Sequence, residues 1–73
     1  SRNDGTFYDP DQAWKNQEGT VISEILPGEL GRIRIHGVPW KAKSDEDIKP
    51  IEEGQKVRLV GRILNTYVVQ RIM

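Results

Sequence analysis

The stretch from Gly31 to Ser44, GRIRIHGVPWKAKS, places basic side chains around one tryptophan and contains no acidic residue. The basic side chains are Arg32, Arg34, Lys41 and Lys43. Such interleaving on neighbouring strands is typical of proteins that bind single-stranded nucleic acid, where bases stack on the ring and cations follow the phosphates. The stretch therefore has two interpretations: an anion-binding face, or the solvated outer face of a small barrel.

The side chains that could support catalysis or hold a metal are few. His36 is the only histidine, and it falls in a predicted hairpin tip without the buried setting that orients a general base. The carboxylates of SDEDIKPIEE do not follow the spacing of a calcium loop, because Ile48 and Lys49 interrupt it. Cysteine and glycine-rich phosphate loops are absent. We therefore predict no catalytic residue, no metal, no cofactor and no small-molecule substrate.

Length and charge restrict the class of protein further. The chain has 73 residues, enough for one small domain, and its 11 basic residues equal its 11 acidic residues. A dedicated polyanion binder usually carries a basic excess, so this balance argues against nucleic acid as a partner but leaves a local patch open. Because the chain begins at Ser1 rather than Met, we expect an excised piece of a longer protein.

The elements that must position these residues are strands. Residues 1–17 are polar and are predicted to be a linker, mostly disordered or with one helical turn at DPDQAW. Residues 18–73 are predicted to form the folded domain. Its strands are TVISEIL, GRIRIH, VPWKAK, QKVRLVGRIL and TYVVQRI, and a short helical turn with a capping pattern from Ser44 to Asp47 joins the third and fourth. This pattern predicts an all-β, five-stranded barrel of the OB type.

The alternation of strand side chains decides between the two interpretations of the opening stretch. With His36-Gly37 as the turn, Ile33 lies opposite Trp40, and Trp40 points into the barrel. The four basic side chains then lie outside without an aromatic ring on which a base could stack. We therefore favour a solvated face, and keep a nucleic-acid-binding OB module on the strand 2–3 face as the alternative function.

The last hairpin presents a second candidate surface. With Asn65-Thr66 as the turn, Ile63 and Val68 point inward, as do Leu59 and Ile72. The predicted core is then Val21, Ile33, Ile35, Trp40, Leu59, Ile63, Val68 and Ile72. The opposite face would carry Val60, Leu64, Tyr67 and Val69, flanked by Arg58, Arg62 and Arg71, and an exposed apolar patch of this kind would bind a partner. The alternatives are a bulge near Gly61 that shifts the register, or cover of this side by the helical turn or the N-terminal segment.

The order of these motifs resembles the C-terminal domain of the NfeD family. The residues that carry the resemblance are EGTVISEILP, GRIRIHGVPWKAKS, EGQKVRLV and NTYVVQRI, together with Trp40 two residues before Ala42 and Gly54 three residues before Val57. The resemblance covers about three-quarters of the chain, from Gly19 to Ile72.

The resemblance implies a five-stranded OB barrel from a bacterial or archaeal source, a soluble domain whose full-length protein is anchored by membrane segments absent from this fragment. It also implies a stomatin-, prohibitin- or flotillin-type membrane scaffold protein as the partner. It carries over no active-site residue, so the expected function is non-catalytic protein interaction.

Overall fold

The computed structural model describes residues 12–46 and 48–72. The predicted start of a helical turn at Asp9 and Pro10 lies outside these residues, as does most of the predicted linker. Among the described residues, the chain forms five strands and no α-helix. The strands are β1 (Glu18–Ser23), β2 (Gly31–Ile35), β3 (Val38–Ser44), β4 (Lys56–Ile63) and β5 (Thr66–Arg71).

The strands close into a barrel in the order β1-β2-β3-β5-β4, with β4 pairing back to β1. Neighbouring strands run antiparallel except β3 and β5, which run parallel. The predicted all-β OB-type barrel is therefore confirmed. Closure gives every described strand a neighbour on both sides, so the sheet has no edge strand.

The β2–β3 hairpin has the predicted register. Ile33 pairs with Trp40 and Arg32 with Lys41, on either side of a turn at His36 and Gly37. Both turn residues have positive φ angles, 48° and 81°. Positive φ at both central positions defines the type I′ turn, whose twist matches that of the flanking strands.

The connection between β3 and β4 does not contain the predicted helical turn in its described residues. Ser44, the proposed cap, instead closes a bend: its hydroxyl accepts a hydrogen bond from the Glu46 N–H (3.0 Å) and donates one to the Glu46 carbonyl (2.6 Å). Serine at such a position satisfies the backbone two residues ahead, which competes with helix formation. Asp47, the other member of the proposed capping pattern, lies outside the described residues.

The β4–β5 hairpin differs from the prediction by one residue. Its turn lies at Leu64 and Asn65, since Ile63 pairs with Thr66, and a bulge interrupts the pairing between Leu59 and Gly61. A one-residue shift moves every side chain of a strand to the other face of the sheet. The bulge near Gly61 that was considered as the alternative is thus the correct arrangement.

This shift rearranges the core. The buried apolar residues are Val21, Ile25, Ile33, Ile35, Ala42, Ile51, Val57, Leu59, Tyr67 and Val69. The prediction was wrong for Ile63, which is 58% exposed, and for Val68 and Ile72, which are half-buried. Trp40 packs on the core from the predicted side but is half-buried too.

One end of the barrel is closed by the two long connections. Ile25 and Ile51 exchange backbone hydrogen bonds of 2.9 Å across them, and both side chains are buried. We call this end, formed by residues 24–30, 45–46 and 48–55, the loop end. The two isoleucines fill the mouth of the barrel between β1 and β4 and complete the core there.

Residues 12–17 are docked on the barrel. The Asn16 N–H donates to the Leu59 carbonyl (3.1 Å), and the Leu59 N–H donates to the Gln17 carbonyl (2.8 Å). Trp14 packs against the core cluster. These contacts attach residues 12–17 to β4; the division of the chain into residues 1–17 and 18–73 stays a prediction.

Candidate functional site

Both hairpin tips lie at the end of the barrel opposite the loop end. β3 and β5 run parallel with Lys41 level with Thr66, so the turns that precede them come together. Three apolar side chains are exposed there: Val38 at 50%, Ile63 at 58% and Leu64 at 87%. We call this region, formed by these three residues and Arg62, the hairpin end.

A cluster of aromatic rings lies beneath the hairpin end. The Tyr67 ring, from β5, is 6% exposed. It meets the Trp40 ring edge-on, with centroids 5.1 Å apart, and the Trp14 ring at 5.9 Å. Edge-to-face contacts at such distances are favourable. The cluster connects β3, β5 and the segment that precedes β1. These contacts hold the two hairpins in position below their turns.

Arg62 lies on top of this cluster. Its guanidinium carbon is 5.5 Å from the Tyr67 ring centroid and 5.7 Å from that of Trp40. Its Nε donates a 2.8 Å hydrogen bond to the carbonyl of Leu64. Cation–π attraction and this hydrogen bond together hold an exposed guanidinium in one place.

Leu64 has an unfavourable backbone conformation. Its φ is +56°, in the left-handed region, where Cβ crowds the following carbonyl and most residues other than Gly, Asn and Asp are disfavoured. Its side chain is 87% exposed, so burial gives no compensation. A strained residue whose side chain makes little contact with its own fold is a reason to look for a function.

The structure separates the residues of the predicted apolar face. Tyr67 and Val69 belong to the core, at 6% and 0% exposure, because the bulge turns them inward. Leu64 and Arg62 lie at the hairpin end. Val60 and Arg58 lie further along β4 and are half-buried. The predicted face is therefore wrong as a single surface, although part of it is exposed.

Arg71 lies at the far end of β5 and has a structural role there. One Nη donates a 3.1 Å hydrogen bond to the Lys49 carbonyl, and Nε is 3.7 Å from a Glu46 carboxylate oxygen. These contacts attach the connection between β3 and β4 to the barrel. Arg71 therefore does not flank the hairpin end, contrary to the expectation from sequence.

The basic residues of the opening stretch lie outside the barrel, as predicted. Arg32, Arg34 and Lys41 are exposed, Lys43 is half-buried, and none forms an ion pair with a described residue. An Nη of Arg34 donates a 3.1 Å hydrogen bond to the Gly37 carbonyl, which supports the β2–β3 turn. Since Trp40 points inward, this surface carries cations without an aromatic platform.

The described residues offer little for other chemistry. They contain no cluster of three or more side chains that could hold a metal ion, and no pocket. No helix in this part of the chain is long and apolar enough to cross a membrane. The feature of the described residues that a partner could contact is their exposed surface.

Sequence reasoning missed two residues of this end, Val38 and Ile63, because alternation places both on the inward face. It also places Trp14, which packs in the aromatic cluster beneath them, in a linker. Gly61 is the residue in the sequence that could have indicated the exposure of Ile63. Gly61 lies opposite Val68, and a Cβ added at Gly61 would lie only 3.3 Å from the Val68 Cβ. A glycine inside a strand often marks a bulge, and the bulge brings Ile63 to the surface.

The fold and the site define a class of protein: a small OB-type barrel with exposed apolar side chains at its hairpin end. A family model described as the NfeD-like C-terminal, partner-binding domain matches residues 11–71. The match spans most of the chain, so the chain belongs to the NfeD family, and the resemblance noted in the sequence is confirmed. The domain is accordingly a non-catalytic, partner-binding module.

Two solved structures are similar to this chain. One is the C-terminal domain of a stomatin operon partner protein from Pyrococcus horikoshii, at 35% identity and a TM-score of 0.75, covering 85% of this chain and 92% of that one. The other is the soluble domain of a Corynebacterium glutamicum membrane protein implicated in regulation of membrane protease activity. At 22% identity, a TM-score of 0.75, and coverage of 82% and 94%, it supports the fold alone. No curated protein sequence matches the chain.

Proposed function

We propose that this domain binds a stomatin-type membrane protein, of the stomatin, prohibitin or flotillin kind. We propose also that the domain is part of a longer protein that is anchored in the same membrane as this partner. Membership of a partner-binding family supports the binding role. The name of the 35% identical relative, a stomatin operon partner, supports the kind of partner.

The hairpin end is the surface that we propose for this binding. The observation that carries the proposal is the exposure of Val38, Ile63 and Leu64 at the end of a closed barrel where the two hairpin turns lie. Apolar side chains gathered on a folded surface are typical of interaction sites, whereas scattered ones need no explanation. Val60 and Arg58 extend the proposed surface along the outside of β4.

A binding measurement with purified components tests the proposal. The stomatin-type proteins of the source organism are placed in lipid nanodiscs, and the immobilised chain is exposed to each by biolayer interferometry. We expect saturable binding by the unmodified chain. Leu64→Asn should weaken it by roughly tenfold, since it removes an exposed anchor from the centre of the contact.

The Leu64→Asn variant has a favourable property as a probe. Asparagine tolerates a positive φ better than leucine, so the variant should melt at the same temperature as the parent or slightly above it. Leu30→Asn is the matched control, because Leu30 is an exposed leucine too, at 58%, but lies at the loop end. Equal losses for both variants, or binding to empty nanodiscs alone, would contradict the proposed surface; no binding to any stomatin-type protein would contradict the proposed partner.

A further inference from the structure

We infer that Arg62 is a preformed receptor for a carboxylate, and that the partner segment at the hairpin end pairs an acidic residue with an apolar one. This inference rests on the proposed partner-binding function and adds the chemistry of the segment. The carboxylate would meet the guanidinium of Arg62, and the neighbouring apolar side chain would pack on Leu64 and Ile63.

The first argument is the position of the guanidinium. Nε donates a hydrogen bond to the Leu64 carbonyl, at 2.8 Å, and the guanidinium carbon lies 5.5 Å from the Tyr67 ring centroid and 5.7 Å from that of Trp40. The two terminal nitrogens make no hydrogen bond to another described residue. A guanidinium whose stem is fixed and whose terminal nitrogens are unused by the described residues matches the geometry of a carboxylate, and little conformational freedom remains to be lost on binding.

The second argument is the distribution of charge. Among the described residues, nearly all acidic side chains lie in the two connections of the loop end: Glu24, Glu29, Asp45, Glu46, Glu52 and Glu53. The other described acid is Glu18, which opposite Arg58 starts β1. Among the described residues, the hairpin end therefore carries Arg62 and no acidic side chain, which favours approach of an acidic segment over a basic one.

The third argument couples the cation to the apolar anchor. The carbonyl that Arg62 holds belongs to Leu64, the residue with the strained φ of +56°. One hydrogen bond thus fixes both the cation and the exposed leucine at a set separation. A surface built in this way fits an acidic residue next to an apolar one, since a segment with only one of the two would leave either the charge or the leucine unmatched.

Selection from a displayed library of short random peptides tests the inference without the natural partner. We expect the unmodified chain to enrich peptides in which Asp or Glu adjoins a Leu, Ile or Phe. With Arg62→Glu as bait, the acidic preference should be lost and a basic one should replace it. Arg32→Glu changes net charge by the same amount on the barrel wall and should keep the acidic preference.

Titration of the most enriched peptide gives the magnitude. Arg62→Gln should weaken its binding on the order of tenfold to a hundredfold, because a charged hydrogen-bonded pair is lost, whereas Arg32→Gln should change it by less than about threefold. Arg62→Lys, which keeps charge but loses the fork, should fall between the parent and Arg62→Gln. Tryptophan fluorescence should change on binding in the parent and much less in Trp40→Phe. The melting temperature of each variant verifies that it is folded.

The outcomes separate the inference from the proposed function. Binding of a stomatin-type protein that is equal for the parent and Arg62→Gln would overturn the inference and leave the proposed function standing. Enrichment of acidic–apolar peptides without any binding to a stomatin-type protein would support the inference and contradict the proposed partner. Arg62-dependent binding to phosphatidylserine vesicles, with no peptide enriched, would overturn the inference in favour of a lipid surface.

Discussion

Tyr67 connects the core of the barrel to Arg62, whose guanidinium lies over the tyrosine ring. An exposed tyrosine on this hairpin would be a good anchor for a partner. Tyr67, however, is only 6% exposed, and the rings of Trp14 and Trp40 pack against its ring. Its loss would remove a large buried side chain and the support of Arg62 together. Binding defects of Tyr67 variants would therefore report on folding rather than on contact with a partner.

Tyr67→Ala should destabilise the domain by about 3–5 kcal/mol, and Trp40→Ala by less, because part of the Trp40 side chain is already exposed to water. A small domain has a total stability of about 3–5 kcal/mol, so Tyr67→Ala should be largely unfolded at 25 °C. Urea denaturation followed by circular dichroism measures both. A Tyr67→Ala variant that unfolds at the urea concentration of the parent would contradict its place in the core.

At the scale of elements, the two strand irregularities decide which side chains meet. The bulge in β4 between Leu59 and Gly61 turns Tyr67 and Val69 inward, and a second irregularity in β1 lies between Val21 and Ser23. The bend after β1 brings the chain against Gly31, at the start of β2. A Cβ built on Gly31 would lie 2.6 Å from the Ile25 Cγ1 and 2.7 Å from the Glu24 carbonyl oxygen.

Gly31→Ala should therefore destabilise by about 3 kcal/mol, since a backbone carbonyl in the way cannot move aside as a side chain can. Gly28→Ala is the matched control: its φ is +74°, but no atom lies within 4 Å of its Cβ position, so only the backbone preference of about 1 kcal/mol is lost. Thermal melts should show a decrease several times larger for Gly31→Ala. Equal decreases would mean that the loop end can relax around an added methyl.

At the scale of the whole molecule, the net charge is zero, but the acidic and basic side chains of the described residues lie mostly in different regions. The described acids gather at the loop end, while Arg32, Arg34, Lys41 and Lys43 lie on the barrel wall. The like-charged pair Arg32 and Lys41 sits directly opposite across β2 and β3. Such a pair is mildly destabilising unless water or a partner screens it.

This wall should not bind single-stranded nucleic acid tightly. It offers phosphates a few solvated cations but offers bases no ring, because Trp40 points inward. We expect the dissociation constant for a fluorescent oligo-dT, measured by fluorescence anisotropy, to be larger than about 1 µM at physiological salt. Tighter binding that Arg32→Glu abolishes, while Leu64→Asn has no effect, would establish the nucleic-acid alternative in place of the hairpin end.

The sequence by itself determined the class of fold, the β2–β3 register and the absence of a catalytic motif. These follow from local information: the alternation in GRIRI, the His36-Gly37 turn and the types of residue present. The family resemblance followed from the order of the same motifs. Local patterns suffice here because a two-residue turn fixes which residues face each other on both of its strands.

Only the tertiary structure decided which residues of the last hairpin are core and which are surface. The Leu59–Gly61 bulge is stabilised by contacts from elsewhere: Leu59 bonds to Asn16 and Gln17, and Tyr67 packs between Trp14 and Trp40. Alternation within β4 and β5 fits either register almost equally well, since both faces carry apolar residues. The choice depends on rings and backbone groups distant in sequence, and it places Arg62 and Leu64, rather than Tyr67 and Val69, at the surface.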